Sequence, residues 1–173
     1  MLLAHLTYRF IMSLSSKYNN IKVQVSCVPN YEKEIKLLFF RILDDYINRF
    51  NVEIIVDKAN IQICFIEYDD PKGDTCGLHI FSEDNKKILI QIRDPLLHGW
   101  EGNPYTMDKM ANIVCHEFVH ACQALTGRNG FSIPKLTYDK NDEQEQYFFD
   151  PCEVEARALE APYTTMYAQA LLL

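Results

Sequence analysis

Apolar and polar residues alternate from residue 21 to residue 27, and this period of two is typical of a half-buried strand. Pro29-Asn30 ends the strand, and Asn30 is a suitable N-cap for a helix. The apolar side chains that follow recur at helical spacing: Ile35, Leu38, Phe39, Ile42, Tyr46 and Phe50. The pattern therefore predicts a strand followed by a scaffold helix that packs on a sheet.

Two pairs of strands are predicted in the next part of the chain. Val52 to Val56 and Ile61 to Glu67 form the first pair, separated by a turn over residues 57–60. Residues 76–81 and 88–92 form the second pair, a hairpin with three isoleucines on one face: Ile88, Ile90 and Ile92. Together with the first strand they predict one mixed or antiparallel sheet.

Three stretches lack a clear period. Residues 2–18 have apolar side chains at loosely helical spacing, and form either a first helix or a loosely attached segment. Residues 94–105 contain two Pro, two Gly and the only Trp, which predicts an ordered surface loop. Residues 128–149 are polar and are predicted to be irregular.

A long helix is predicted between Thr106, which can cap its start, and Gly127, which can end it. At 100° per residue, His120 lies about 40° from His116, and Glu117 stands beside them. The apolar side chains gather on the far side of the helix: Met107, Met110, Val114, Phe118, Ala121 and Leu125. Two imidazoles on a separate polar face, in an H-E-x-x-H array, predict a catalytic zinc site.

A second helix is predicted after Asp150-Pro151, which offers an N-cap and a first-turn proline. The helix should run from Cys152 to Ala161, and Pro162 should kink or end it.

Composition places limits on the class of protein. A chain of 173 residues, 48% of them hydrophobic, predicts a single domain over residues 1–173. The order of the predicted strands and helices makes its expected class α+β. The formal charge is 17 minus 24, or -7, without a basic window, which argues against a nucleic-acid partner. Six Cys without a C-x-x-C pair favour free thiols and a cytoplasmic location over secretion. No run of about 20 apolar residues is present, so no membrane partner is expected.

The H-E-x-x-H array and the uncharged residues around it resemble those of the zincin metallopeptidases. The resemblance implies a zincin-like domain in which His116 and His120 bind Zn²⁺ and Glu117 is the general base. It also implies a protein or peptide substrate that pairs with an antiparallel edge strand, for which residues 77–81 or their hairpin partner are the candidate. Among the glutamate zincins, the chain resembles the small ImmA/IrrE-type and phage-associated zinc peptidases.

A third zinc ligand has to come from elsewhere, because a catalytic zinc usually has three protein ligands and water. No His follows His120, and periodicity cannot separate the three carboxylates that flank the apolar stripe of the second helix: Glu153, Glu155 and Glu160. The resemblance favours Glu153, with Glu155 as the alternative, because E-x-x-A is matched at Glu153 and Ala156, although Arg157 departs from the expected acid or amide. As N3 residue, Glu153 is also suited to a capping box.

The predicted activity is zinc-assisted peptide hydrolysis, with a second electrophile near the developing oxyanion. Its candidates are Tyr138, Tyr147, Arg157 and His98, and Arg157 is equally suited to orient Glu153 from one helical turn away. Two other functions fit the array: a zinc-binding interaction protein that cleaves nothing, and a regulatory peptidase that cuts one repressor.

Overall fold

The computed structural model describes residues 16–26, 32–66, 77–93, 107–128 and 143–171. The sequence-based expectations for the first 15 residues, for the loop 94–105, for the caps at Asn30 and Thr106, and for His98 and Tyr138 lie outside the described residues.

Four strands form one mixed sheet: β1 (Ile21–Ser26), β2 (Ala59–Ile66), β3 (Gly77–Phe81) and β4 (Lys87–Arg93). Their order across the sheet is β1-β2-β4-β3. β1 pairs with β2 and β2 with β4 in parallel, whereas β3 and β4 form the predicted antiparallel hairpin. Within the described sheet, β3 is therefore an edge strand.

Helices α1 (Glu32–Phe50), α2 (Met107–Thr126), α3 (Glu143–Phe149) and α4 (Pro151–Leu171) complete the described α+β fold. α1 connects β1 to β2, which allows these strands to run parallel, since parallel neighbours need a crossover. α2 packs against β3 and β4, while α4 packs against α1 and α2. α2 ends as predicted, because Gly127 follows it with a φ of 71°.

One face of the sheet and the three long helices share a hydrophobic core. Ile88, Ile90 and Ile92 are at most 2% exposed, which confirms their predicted common face. The rings of Phe39 on α1 and Phe118 on α2 meet edge to face with centroids 5.3 Å apart. This core holds α2 rigidly against the sheet, so its polar face has a fixed position relative to β3.

The predicted strand Val52 to Val56 is wrong, because this segment forms no ladder. Its backbone bonds to helix ends instead: the Val52 N–H donates to the Ile47 carbonyl (3.1 Å) and the Ile55 N–H to the Leu125 carbonyl (2.9 Å). These bonds satisfy carbonyls that the last turns of α1 and α2 leave unpaired. Val52, Ile54 and Val56 pack against the core while Ile55 is exposed, so the apolar pattern reflects packing without strand pairing.

Two helix predictions also need correction. Residues 143–149, expected to be irregular, form α3. Pro162 does not end α4, which continues to Leu171. A proline here removes the bond to the carbonyl of Ala158, but both residues are exposed, so water can replace the lost donor. Tyr163, fully buried and bonded through its hydroxyl to Asp45 (2.9 Å), anchors the helix immediately beyond the proline.

Candidate metal centre

The two histidines of the array lie one turn apart on α2 and point to the same place. Nε2 of His116 and Nε2 of His120 are 3.1 Å apart. Their side chains are 13% and 3% exposed, so the nitrogens converge at the edge of the core. The i, i+4 spacing produces this convergence because side chains four residues apart share a helix face.

The first turn of α4 brings Glu153 to the same point. Its Oε2 lies 3.1 Å from Nε2 of His116, and its Oε1 lies 3.2 Å from Nε2 of His120. The helix start is held by Asp150, whose Oδ1 accepts from the N–H groups of Cys152 (2.8 Å) and Glu153 (3.4 Å). Asp150 thus acts as the predicted N-cap.

Glu153 does not make the hydrogen bond of a capping box. The N–H of Asp150, which a capping-box carboxylate would accept, donates to the Tyr147 carbonyl at 3.3 Å. The Glu153 carboxylate instead faces the two histidines, and it is 10% exposed.

His116, His120 and Glu153 form a group that could hold a metal ion, with ligand atoms that all lie within 4.8 Å of one another. For zinc, with ligands at 2.0–2.1 Å in a tetrahedron, neighbouring ligand atoms are about 3.3 Å apart. The distances of 3.1–3.2 Å between the three side chains are close to this spacing. The donor set therefore fits a divalent ion, although two imidazoles and a carboxylate do not select one metal by themselves.

The negative charge of Glu153 and the positive charge of protonated His116 stabilise each other, as the pKa values of both groups indicate. Burial alone raises the pKa of Glu153, but its hydrogen bonds with His116 and His120 outweigh burial and bring the pKa below its ordinary value. Burial lowers the pKa of His116, but Glu153, Glu117 and Glu160 together raise it above its ordinary value. His116 and Glu153 thus share a proton that a bound cation would displace.

The outer nitrogens of both histidines have partners. Nδ1 of His116 lies 2.9 Å from Oε1 of Glu160, and Nδ1 of His120 lies 2.8 Å from Oε1 of Gln123. Because these oxygens accept, the hydrogen of each neutral imidazole belongs on Nδ1, and Nε2 then offers its lone pair to a cation that displaces the proton shared with Glu153. The contacts thus fix the tautomer that ligation through Nε2 requires.

Glu155, the alternative third ligand, lies in a different network. Its carboxylate accepts from the Tyr46 hydroxyl and from Nε2 of Gln123 (3.1 Å), and it pairs with the Arg128 guanidinium. The structure therefore brings Glu153 rather than Glu155 to the histidines. Glu155 joins α4 to α1 and to the end of α2.

Glu117 lies beneath the edge strand β3 and is 6% exposed. Its Oε2 is 2.9 Å from Nδ1 of His79. Its Oε1 approaches Gly77 so closely that a Cβ on Gly77 would lie 2.3 Å away. Of the two candidate edge strands, residues 77–81 and their hairpin partner, β3 lies at the edge. The contact of His79 with Glu117 is not predicted, because the sequence does not show which strand face meets α2.

An open cleft of about 500 Å³ adjoins the candidate ligands. Its lining includes His120 and Glu153 together with His79, Phe81 and Tyr147. Partial burial, together with the charge of Glu153, raises the pKa of the Tyr147 hydroxyl above its ordinary value. Tyr147 therefore stays a hydrogen-bond donor within reach of the acidic group.

Arg157, the other candidate electrophile, lies beside α3. Its Nη1 is 3.8 Å from Oε2 of Glu153, and its Nη2 donates to the Phe148 carbonyl. The guanidinium also covers the Phe148 ring, at 4.7 Å from the centroid. These contacts fit an orienting role toward Glu153.

Among the described residues, no cysteine belongs to the group of candidate ligands. Within the described ranges, Cys64, Cys115 and Cys122 are buried free thiols. Burial raises the pKa of Cys115 to about 12, and burial also raises the pKa of Cys122 well above its ordinary value.

None of the helices in the described ranges has both the length and the apolar character needed to cross a bilayer.

Comparisons with known proteins gave no match: no protein-family model, no curated protein and no solved structure is similar to this chain.

Proposed function

We propose that this chain is a zinc-dependent endopeptidase with a zincin-like fold, in which Zn²⁺ is held by His116, His120 and Glu153. The observation that carries the proposal is the convergence of these three side chains, at 3.1–3.2 Å from one another, beside an open cleft. A two-histidine, one-glutamate set that leaves a position open is typical of catalytic rather than structural zinc.

Glu117 is the general base of the proposed reaction. When bound, the zinc ion lowers the pKa of the attacking water and polarises the scissile carbonyl. Glu117 accepts the proton that the water loses as its oxygen bonds to the carbonyl carbon. The same carboxyl returns this proton to the amine nitrogen as the carbon–nitrogen bond breaks. A purely structural zinc site would have no use for a buried carboxylate at this place.

The edge strand β3 is the proposed docking site for the peptide substrate. In the sheet that the structure describes, β3 pairs with β4 on one side only. An extended peptide can add to such an edge through main-chain hydrogen bonds. Because His79 and Gly77 of β3 contact Glu117, a peptide paired with β3 would lie next to the general base.

Tyr147 is the proposed donor to the developing oxyanion. It lines the cleft next to Glu153, and its raised pKa keeps the hydroxyl protonated. Arg157 supports the site by orienting Glu153 and by covering the aromatic side chains of α3.

A cytoplasmic location is proposed as well, supported by the buried free thiols.

A peptide-library digest tests the proposal, with zinc-loaded native protein and the Glu117→Gln variant compared under the same conditions. Zinc content is measured for both by elemental analysis. We expect equal zinc and cleavage by the native protein alone, with a rate at least about 100-fold above that of Glu117→Gln. Equal zinc without cleavage that depends on Glu117 would contradict peptidase activity and favour a zinc-binding interaction protein.

A further inference from the structure

His79 lies on the β3 face that meets α2. It pairs with Ile90 across the hairpin, so its side chain shares the inner face of the sheet with Gly77 and Phe81. This face presents His79 to Glu117, at 2.9 Å between Nδ1 and Oε2. A buried polar contact thus joins the edge strand to the H-E-x-x-H helix.

The direction of this hydrogen bond follows from the role of Glu117. A carboxylate that serves as a base is ionised, and an ionised carboxylate only accepts. Nδ1 of His79 therefore carries the hydrogen and donates it to Oε2. The other oxygen, Oε1, occupies the space that the missing side chain of Gly77 leaves open. Strand β3 therefore fixes the positions of both carboxylate oxygens of Glu117.

The His79 ring is itself fixed by its neighbours. It lies on the ring of His120, with centroids 4.0 Å apart, and stacks on Phe81 at 4.9 Å with an interplanar angle of 26°. The side chain is 27% exposed, so one part reaches the cleft while the other is packed. Because His120 and Phe81 hold the His79 ring on two sides, its N–H donor is oriented toward Glu117 before a substrate binds.

We propose that His79 is a positioning residue, which holds the Glu117 carboxylate in the orientation that proton transfer requires. The proposal rests on the proposed peptidase function and adds a residue to it. Because His79 belongs to the strand on which the substrate is proposed to dock, substrate binding and the orientation of the base depend on the same five-residue strand.

A matched pair of substitutions separates positioning from packing. His79→Asn keeps an N–H donor near the place of Nδ1, whereas His79→Leu has almost the same size and no donor. His79→Phe keeps the ring on His120 but lacks the donor. We expect His79→Leu and His79→Phe to lower kcat about 10- to 100-fold with KM nearly unchanged, and His79→Asn to recover most of the loss. Zinc content should be the same in all three.

A packing role predicts the opposite order. Leu is favoured over Asn in strands, and Phe preserves the ring contact. The proposal is therefore overturned if His79→Asn is as impaired as His79→Leu, or if His79→Phe retains native kcat.

A second measurement does not depend on activity. Long-range ¹H–¹⁵N spectra of the metal-free protein report which ring nitrogen of His79 carries the hydrogen. We expect Nδ1–H in the native protein and a shift toward Nε2–H in Glu117→Leu. An Nε2–H tautomer in the native protein would overturn the proposal. If the native protein cleaves nothing, the proposed function fails, while these spectra still decide whether His79 donates to Glu117.

Discussion

Oε1 of Glu160 lies 2.9 Å from Nδ1 of His116, so a carboxylate on α4 fixes the outer nitrogen of a histidine on α2. Removing such a partner typically costs about 10- to 100-fold in metal affinity. We expect Glu160→Ala to weaken zinc binding by this factor in a chelator competition. Glu160→Gln keeps an acceptor at the same place and should lose less. Equal affinities for Glu160→Ala and native protein would contradict this role.

Glu155 is expected to stabilise the fold without affecting metal binding. Its carboxylate is buried with Tyr46, Gln123 and Arg128, and Glu155→Ala leaves the guanidinium without this partner. Breaking a buried pair costs about 3 kcal/mol, which urea unfolding of the metal-free protein can measure. Gln123 still donates to the Cys152 carbonyl and accepts from Nδ1 of His120, so zinc affinity per folded molecule should stay within about threefold of native. A loss of zinc at full stability would show that Glu155 acts on the site.

Two glycines allow a matched comparison between chemistry and stability. A Cβ at Gly77 would lie 2.3 Å from Oε1 of Glu117, so Gly77→Ala must displace the general base. We expect hydrolysis to fall at least about 10-fold while zinc content is unchanged.

Gly127→Ala is the control for this change. Gly127 has a φ of 71°, and its Cβ would lie 2.8 Å from Cδ1 of Ile55 rather than against Glu117. We expect a loss of about 1 to 2 kcal/mol in unfolding free energy and no change in hydrolysis per folded molecule. If the two variants behave alike, the contact between Gly77 and Glu117 has no special role.

Buried thiols predict how stability depends on pH. In the unfolded chain a cysteine ionises near pH 8.5, whereas burial keeps Cys115 and Cys122 protonated to higher pH. The folded protein then binds more protons, so stability falls as the pH rises from about 8 to 10. Urea unfolding at both pH values should show this fall. It should be smaller in the Cys115→Ala/Cys122→Ala variant, and an identical fall would contradict the prediction.

Much of the site could be predicted from local patterns. The i, i+4 spacing was sufficient to bring His116 and His120 together, and alternation was sufficient for the hairpin of β3 and β4. The three carboxylates of α4 could not be separated in this way, because all of them flank its apolar stripe. Glu153 and Glu160 contact opposite ring nitrogens of His116 on α2, whereas Glu155 contacts Tyr46 on α1.

Long-range contacts account for the remaining errors. His79 gains its role from the strand face that meets Glu117, which depends on the order of strands in the sheet. Val52 to Val56 has the composition of a strand but bonds to helix ends. Pro162 is tolerated because its side of α4 faces solvent. None of these contacts can be inferred from spacing along the chain.

Zinc stoichiometry tests the central claim most directly. Native protein, Glu153→Ala and, as a control from the same helix turn, Glu155→Gln are loaded with zinc, dialysed and measured by elemental analysis. We expect a single zinc ion per chain in the native protein and in Glu155→Gln, and none retained by Glu153→Ala. A native protein without zinc, or a Glu153→Ala variant that retains zinc as tightly as the native protein, would contradict it.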